Sequence, residues 1–157
     1  MEKNFDEMFS QELILVDYEA RDRESLLREL GGYLLRQGYV RESFPEALVA
    51  RERSYPTGLP TAGVKVALPH VDTAHARRPG ILMATLKRPL PFKEMGDGVR
   101  ELPVEMVFVI VVTDPEEEVR VLQRLMRLFS REEVLARLRA AGSAGEAYHI
   151  LKGEIRA

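Results

Sequence analysis

Short apolar runs alternate with amphipathic stretches along this chain, a pattern typical of an α/β domain. Strands are predicted at 13–16, 64–68, 80–86 and 104–112, and the last run, being the most apolar, is the best candidate for a central strand. Helices are predicted from Asp22 to about Gln37, from Ser43 through Glu52, from Pro115 to about Phe129, from Ser130 to Gly142 and from Ser143 to about Leu151. Residues 55–63, rich in proline and glycine, are predicted to form a loop, and residues 90–92 a turn or edge piece.

Polar residues stand where the helices are expected to begin. Asp22, Ser43 and Ser130 are predicted N-caps, and Glu133 is placed to complete a capping box with Ser130. The helix 115–129 is expected to bury one apolar stripe, made of Val119, Leu122, Leu125, Met126 and Phe129. Hairpin-like spacing between the strands near Met83 and Phe108 favours a mixed sheet over an all-parallel one.

The stretch 64–75, VKVALPHVDTAH, is the strongest candidate for a functional site. Pro69 ends its strand, because proline has no backbone N–H for a ladder, and it keeps Leu68 extended. His70 is therefore delivered at the carboxyl end of a strand, where open α/β sheets place their ligand crevices. Other reactive side chains follow at once: Asp72, Thr73 and His75.

These residues belong to a longer signature. It consists of Arg51-Glu52, Tyr55-Pro56-Thr57-Gly58-Leu59-Pro60-Thr61, Gly63, Val66-Ala67-Leu68-Pro69-His70-Val71-Asp72 and His75. The signature resembles that of the enzyme IIA components of the bacterial phosphoenolpyruvate-dependent sugar phosphotransferase system, of the mannitol/fructose type and closest to the galactitol branch. The resemblance runs from about Leu13 to about Leu151. It implies a single enzyme IIA type-2 domain over residues 1–157, with a mixed sheet of about four to five strands flanked by helices on both faces.

The resemblance also implies roles for individual residues. His70 is expected to carry the phosphoryl group as a phosphohistidine, because imidazole is largely neutral near pH 7 and is both a nucleophile and a leaving group. Arg51 matches the family's arginine and offers a planar fork of donors to phosphoryl oxygens; otherwise it is a surface arginine. Thr57 is expected to donate its hydroxyl or backbone N–H to the same oxygens, with Gly58 allowing close approach, or else to be a turn residue. We interpret Glu52 as orienting Arg51 or facing solvent.

A second histidine, His75, stands where the galactitol-like pattern also has one. We expect it to donate to the phosphoryl group or to fix the tautomer of His70. In the mannitol-type branch the second histidine instead follows the long apolar strand, and Glu118 occupies the matching place here. This departure weakens the mannitol-like two-histidine arrangement for this chain. His149 is interpreted as an ordinary surface or boundary residue.

Three functional hypotheses follow. The first is a phosphocarrier for a sugar or polyol system, which takes its phosphoryl group from the histidine-containing carrier protein. It passes the group to a cysteine of enzyme IIB, with a membrane enzyme IIC as the transporter, and it needs no cofactor. The second is a regulatory enzyme IIA-like module whose phosphorylation state is read by a transcription factor or kinase. The third takes His70, Asp72 and His75 as metal ligands of a hydrolase, although their spacing matches no metal motif.

Partner proteins are expected to dock on apolar residues around His70, with inward folding as the alternative. The candidate ring consists of Leu59, Pro60, Val71, Leu90, Phe92 and Met95.

Composition narrows the classes of partner and compartment. The chain has 157 residues, and its 23 basic and 25 acidic side chains give a net charge of −2, which argues against a strongly basic nucleic-acid surface. It has no cysteine, which excludes disulfides, thiolate catalysis and cysteine–zinc sites. No stretch approaches the roughly 20 apolar residues that span a bilayer, and no secretory signal is recognised at the acidic start. We expect a cytoplasmic protein that is not inserted in the membrane.

Overall fold

The computed structural model describes residues 4–155 and shows one mixed sheet with helices packed on both of its faces. The strands are β1 (Ile14–Tyr18), β2 (Gly58–Leu59), β3 (Lys65–Ala67), β4 (Gly80–Lys93) and β5 (Glu101–Val111). The helices are α1 (Arg23–Arg36), α2 (Phe44–Ser54), α3 (Pro115–Phe129), α4 (Glu132–Ala140) and α5 (Ala144–Ile155). The predicted fold class is confirmed.

The most apolar run lies at the centre of the sheet. The strand order is β1-β4-β5-β3-β2, so β5 occupies the middle position. It pairs antiparallel with β4 and parallel with β3, and Met83 lies opposite Phe108 in the β4–β5 register. The mixed sheet predicted from the spacing of these two strands is therefore confirmed.

Alternate residues of β5 face opposite layers of the core. Met106, Phe108 and Ile110 pack with the layer that contains α3, α4 and α5, whereas Val107 and Val109 pack with the layer that contains α1 and α2. Because neighbouring side chains on a strand point to opposite faces, an uninterrupted apolar run is what a strand covered on both sides requires.

Helix α3 buries a different stripe from the one predicted. Its bounds are those expected, but Val119 and Met126 are 55% and 48% exposed. The buried apolar residues are Val121, Leu125, Leu128 and Phe129. Both sets fit helical spacing and share Leu125 and Phe129, so the periodicity alone did not decide between them. Packing against the sheet decides which stripe is buried, and it leaves exposed apolar residues on the outer surface of α3.

Two predicted caps do not form, and one does. The Asp22 side chain accepts a hydrogen bond from the Ser25 backbone N–H at the start of α1, as predicted. The Ser130 hydroxyl instead donates to the Arg127 carbonyl, and α4 begins two residues later without a side-chain cap. Ser43 makes no side-chain cap at α2, because its hydroxyl contacts a histidine described below.

The strand content is larger than predicted on both sides of the site. Residues 80–93 form one long strand whose register shifts between Thr85 and Leu90. The prediction of a separate turn or edge piece at 90–92 is therefore wrong. The predicted loop contains the short edge strand β2, which pairs with β3. At Gly58 a Cβ atom would lie 2.7 Å from the Lys93 carbonyl oxygen, so glycine is required for this close backbone approach.

Candidate functional site

His70 is held beside the end of the central strand. After β3 ends at Ala67, the Pro69 carbonyl accepts a hydrogen bond of 3.1 Å from the Ile110 backbone N–H, and His70 forms an isolated parallel bridge with Ile110. The loop is thus attached to β5 although its own strand has stopped. The His70 side chain is 13% exposed, which leaves part of the ring open to the surface.

The loop also sets the proton position on the His70 ring. Nδ1 of His70 lies 2.6 Å from the carbonyl oxygen of Leu68. A carbonyl oxygen can only accept, so Nδ1 carries the proton and donates it. In the neutral ring the lone pair is therefore on Nε2. The tautomer is fixed by a backbone carbonyl and not by His75.

A carboxylate lies next to Nε2. Glu118 of α3 places Oε1 3.8 Å from this nitrogen, and its side chain is 25% exposed. The sequence pattern singled out Glu118 only as the place of a missing histidine. Its proximity depends on how α3 packs against the sheet, and the match to the place of that histidine was the one signal in the sequence for its position.

A buried hydrogen-bond network lies beneath the loop. Oε1 and Oε2 of Glu52 accept hydrogen bonds of 2.7 Å from the hydroxyl and the backbone N–H of Thr57. The Thr57 hydroxyl also accepts from the Leu68 N–H at 3.2 Å. The interpretation of Glu52 as a partner of Arg51 or a solvated residue is wrong, because Glu52 is buried and accepts its hydrogen bonds from Thr57.

Both donors of Thr57 are therefore engaged inside the protein. The residue connects Glu52 to Leu68, whose carbonyl in turn holds the His70 ring. Burial raises the pKa of Glu52 to about 7, although the hydrogen bonds from Thr57 and the charge of Arg23 act in the opposite direction. The network thus contains a carboxyl group that titrates near neutral pH.

Arg51 lies on the accessible side of the loop. Its guanidinium is 3.7 Å from a carboxylate oxygen of Asp72 and stacks 4.4 Å from the centre of the Tyr55 ring. The Arg51 side chain is 36% exposed and that of Asp72 is 80% exposed. An ion pair this exposed is weak, so the guanidinium can exchange Asp72 for another anion at small cost.

His75 is directed to the neighbouring helix. Its Nδ1 lies 2.7 Å from the hydroxyl of Ser43, at the start of α2, and its backbone carbonyl accepts from the Arg41 N–H. These contacts fasten the far end of the His70 loop to the segment that precedes α2. Sequence reasoning missed this use of Ser43, because a serine before a helix is normally its cap.

The metal-site interpretation finds no support in these contacts. Within the described residues 4–155, no three side chains of metal-binding type come together as a metal site requires. The Nδ1 atoms of His70 and His75 are each engaged in a hydrogen bond, with the Leu68 carbonyl and the Ser43 hydroxyl.

The predicted apolar ring is mostly part of the core. Leu59, Val71, Leu90 and Phe92 are buried, whereas Pro60 and Met95 are exposed, so the inward-folding alternative holds for four of the six residues. Exposed apolar side chains lie instead on α3, at Val119 and Met126. No helix in the described part of the chain has both the length and the apolar character needed to cross a bilayer.

Comparison with known families agrees with this geometry. The profile of the family described as "Phosphoenolpyruvate-dependent sugar phosphotransferase system, EIIA 2" matches residues 7–154. The chain belongs to this family. The family resemblance drawn from the signature around His70 is therefore confirmed, and this EIIA domain can be compared with named relatives.

Its relatives include transport components and regulators. The EIIA domain is 26% identical over 117 residues to the galactitol-specific EIIA component of Escherichia coli strain K12, which covers 74% of this chain and 77% of that protein. It is 27% identical over 148 residues to the nitrogen regulatory protein of Bradyrhizobium diazoefficiens, with 92% of each chain covered. A solved structure, the complex of enzyme IIA mannitol and phosphorylated enzyme IIB mannitol from Escherichia coli, matches with a TM-score of 0.76 at 24% identity. That match covers 92% of this chain and 97% of the other, and it shows the fold alone.

Proposed function

We propose that this EIIA domain is a phosphocarrier that accepts a phosphoryl group on His70 from the histidine-containing carrier protein and passes it to a cysteine of enzyme IIB. The observation that carries the proposal is the hydrogen bond from His70 Nδ1 to the Leu68 carbonyl. It leaves a lone pair on Nε2, held in a fixed direction on a ring that is partly open to the surface.

The chemistry of this step needs little from the protein beyond position. Nε2 supplies the electron pair for the new N–P bond, and the donor's nitrogen recovers the pair of the bond that breaks. The Nδ1 proton stays on His70 throughout, held by Leu68. When the thiolate of enzyme IIB attacks phosphorus, the ring therefore leaves as a neutral imidazole, which is a better leaving group than an anion.

The remaining proposed site residues support the phosphoryl group in different ways. Arg51 can exchange the exposed Asp72 carboxylate for phosphoryl oxygens, since a guanidinium pairs well with them. His75 has its Nδ1 on Ser43, which leaves its other ring nitrogen for the phosphoryl group. Thr57 acts through Leu68, because both of its donors are bound to Glu52.

A protein is the proposed acceptor, and the sugar or polyol never contacts this chain. The galactitol-specific relative is one component of such a system, and the solved neighbour is bound to a phosphorylated enzyme IIB. The exposed Val119, which directly follows Glu118 on α3, provides apolar surface near the site for a protein to cover. The membrane enzyme IIC would receive the phosphoryl group only through enzyme IIB.

Phosphorylation from phosphoenolpyruvate tests the proposal. Purified enzyme I, the histidine-containing carrier protein and ³²P-labelled phosphoenolpyruvate should give an acid-labile label on the wild type and none on His70→Ala. His149→Ala is the matched control, since His149 is an exposed histidine on α5, and it should label like the wild type. Label on His70→Ala at the wild-type level would contradict the proposal.

Regulation is a second candidate. It is favoured by the match to the nitrogen regulatory protein, which covers 92% of both chains. Transfer of the label from the phosphorylated chain to the enzyme IIB encoded nearest to it separates the two roles. A transport component should lose its label within the mixing time, and a regulator should keep it.

A further inference from the structure

The nitrogen assigned to phosphoryl transfer has an anionic neighbour. Glu118 Oε1 lies 3.8 Å from His70 Nε2, and both side chains are largely shielded from water. With the ring proton donated from Nδ1 to Leu68, the neutral ring has no proton to share with this carboxylate. Shielding from water also weakens the screening of any charge that arrives here.

We propose that Glu118 sets the phosphoryl-transfer potential of His70, an inference that rests on the proposed function. When a phosphoryl group bonds to Nε2, up to about two negative charges enter the space beside the Glu118 carboxylate. Repulsion between the two raises the free energy of phosphorylated His70 relative to the free ring. The group is then held less firmly and is released more readily to the next acceptor.

Glu118 takes no part in bond making or proton transfer. The electron pairs move between Nε2, phosphorus and the donor or acceptor atom, and the Nδ1 proton remains on the ring. The effect of Glu118 is confined to the relative stability of the two states of His70. Arg51 acts in the opposite sense, because its guanidinium comes from α2, is paired with the exposed Asp72 and is attracted to the same phosphoryl oxygens.

An equilibrium measurement isolates this effect from speed and from docking. The ratio of phosphorylated to free EIIA is measured at equilibrium with the phosphorylated histidine-containing carrier protein, for the wild type and for Glu118→Gln. The neutral variant should raise this ratio at least about tenfold, because one unit of negative charge next to the phosphoryl group is removed. The matched control is Glu116→Gln, which removes the same charge from the same first turn of α3 at an exposed position. It should stay within about twofold of the wild type.

A second donor separates electrostatics from protein recognition. Phosphoramidate, a small donor that phosphorylates histidine without docking, should give the same ranking of the three proteins. Equal ratios for the wild type and Glu118→Gln, or a difference seen with the carrier protein but not with phosphoramidate, would overturn this inference and leave the proposed function intact. A wild type that takes up no label from either donor would remove the proposed function and this inference together.

Discussion

The two sides of the His70 loop are held by contacts of different kinds. On the inner side, Glu52, Thr57 and Leu68 are buried and linked by hydrogen bonds. The donors that link them are the Thr57 hydroxyl, the Thr57 N–H and the Leu68 N–H, and each of these is paired. On the outer side, Arg51 pairs with Asp72 and His75 pairs with Ser43, among exposed or half-exposed groups. Buried polar groups cost free energy when a partner is lost, whereas exposed pairs contribute little.

This difference matches the two tasks that the proposed function assigns to the site. The inner contacts keep the proton and the direction of the His70 ring constant, which would fix the geometry of the proposed attack on phosphorus. The outer contacts can be exchanged when a phosphoryl group arrives, because little stability depends on them. Changes on the inner side should therefore affect folding and pH dependence, and changes on the outer side should affect transfer.

The largest expected effect is on the pH dependence of stability, through Glu52. Its pKa in the folded protein is raised from 4.5 to about 7, so between these pH values the native state binds more protons than the unfolded state. The free energy of unfolding should therefore fall by up to about 3 kcal/mol as pH rises through this range. Glu52→Gln cannot titrate and should lack this decrease, as measured by urea unfolding at about pH 5 and about pH 8.

The control for this experiment is Glu46→Gln, an exposed carboxylate on the same helix that pairs with Arg28. Its stability should follow the wild-type pH profile. Parallel pH profiles for the wild type and Glu52→Gln would show that burial does not perturb this carboxyl group.

The next largest effect is expected for Thr57→Val. This isosteric change removes the hydroxyl that joins Glu52 to Leu68 and leaves a buried carboxylate oxygen without a partner. We expect a loss of about 2 kcal/mol in the free energy of unfolding. Thr61→Val is the control, since the Thr61 hydroxyl donates to a backbone carbonyl in a partly exposed loop. If both variants lose the same free energy of unfolding, the buried network contributes no more stability than a hydrogen bond in a partly exposed loop.

On the outer side, Arg51→Gln should reduce the rate of phosphoryl transfer at least about tenfold. Its unfolding free energy should change by less than about 1 kcal/mol, because the pair with Asp72 is exposed. Rapid-quench labelling and urea unfolding on the same samples measure the two quantities. Arg53 lies on the same helix as Arg51 and pairs with Glu24 of α1, and Arg53→Gln should label at the wild-type rate. A stability loss in Arg51→Gln with normal labelling would reverse the assignment of the two sides.

The smallest effects are expected at the contact between His75 and Ser43. Ser43→Ala should cost less than about 1 kcal/mol and leave the labelling rate within about twofold, because the contact is exposed. His75→Gln should slow labelling several-fold if the free nitrogen of His75 meets the phosphoryl group. Identical rates for both variants would restrict His75 to fastening the loop.

Much of the fold followed from local patterns, and most of the exceptions share one cause. The bounds of α3, the cap at Asp22 and the mixed character of the sheet were all predicted correctly. Apart from the local hydrogen bond that keeps Ser130 from capping α4, the errors concern contacts between distant segments. Ser43 bonds His75 instead of capping α2, and α3 turns Val119 outward.

The candidate site divides in the same way. The position of His70 after a strand that Pro69 ends was predicted, because proline and the strand act within a few residues. The hydrogen bonds between Glu52 and Thr57 were missed, because both residues are polar and nothing in the local sequence indicates that the core buries them. The approach of Glu118 to His70 joins residues 48 positions apart, which only the packing of α3 on the sheet brings about.

The sequence by itself determined where the helices and most of the strands form, where the strand before His70 stops and which family signature surrounds it. Those features depend on side-chain periodicity and on proline, which act along the chain. Only the tertiary structure decided which nitrogen of His70 is free, which carboxylate is buried beneath it and which one faces it. The two carboxylates depend on burial and on distances between remote segments, which arise only when the helices pack against the sheet. The free nitrogen depends on the shape of the loop that β5 holds, since the Leu68 carbonyl lies within that loop.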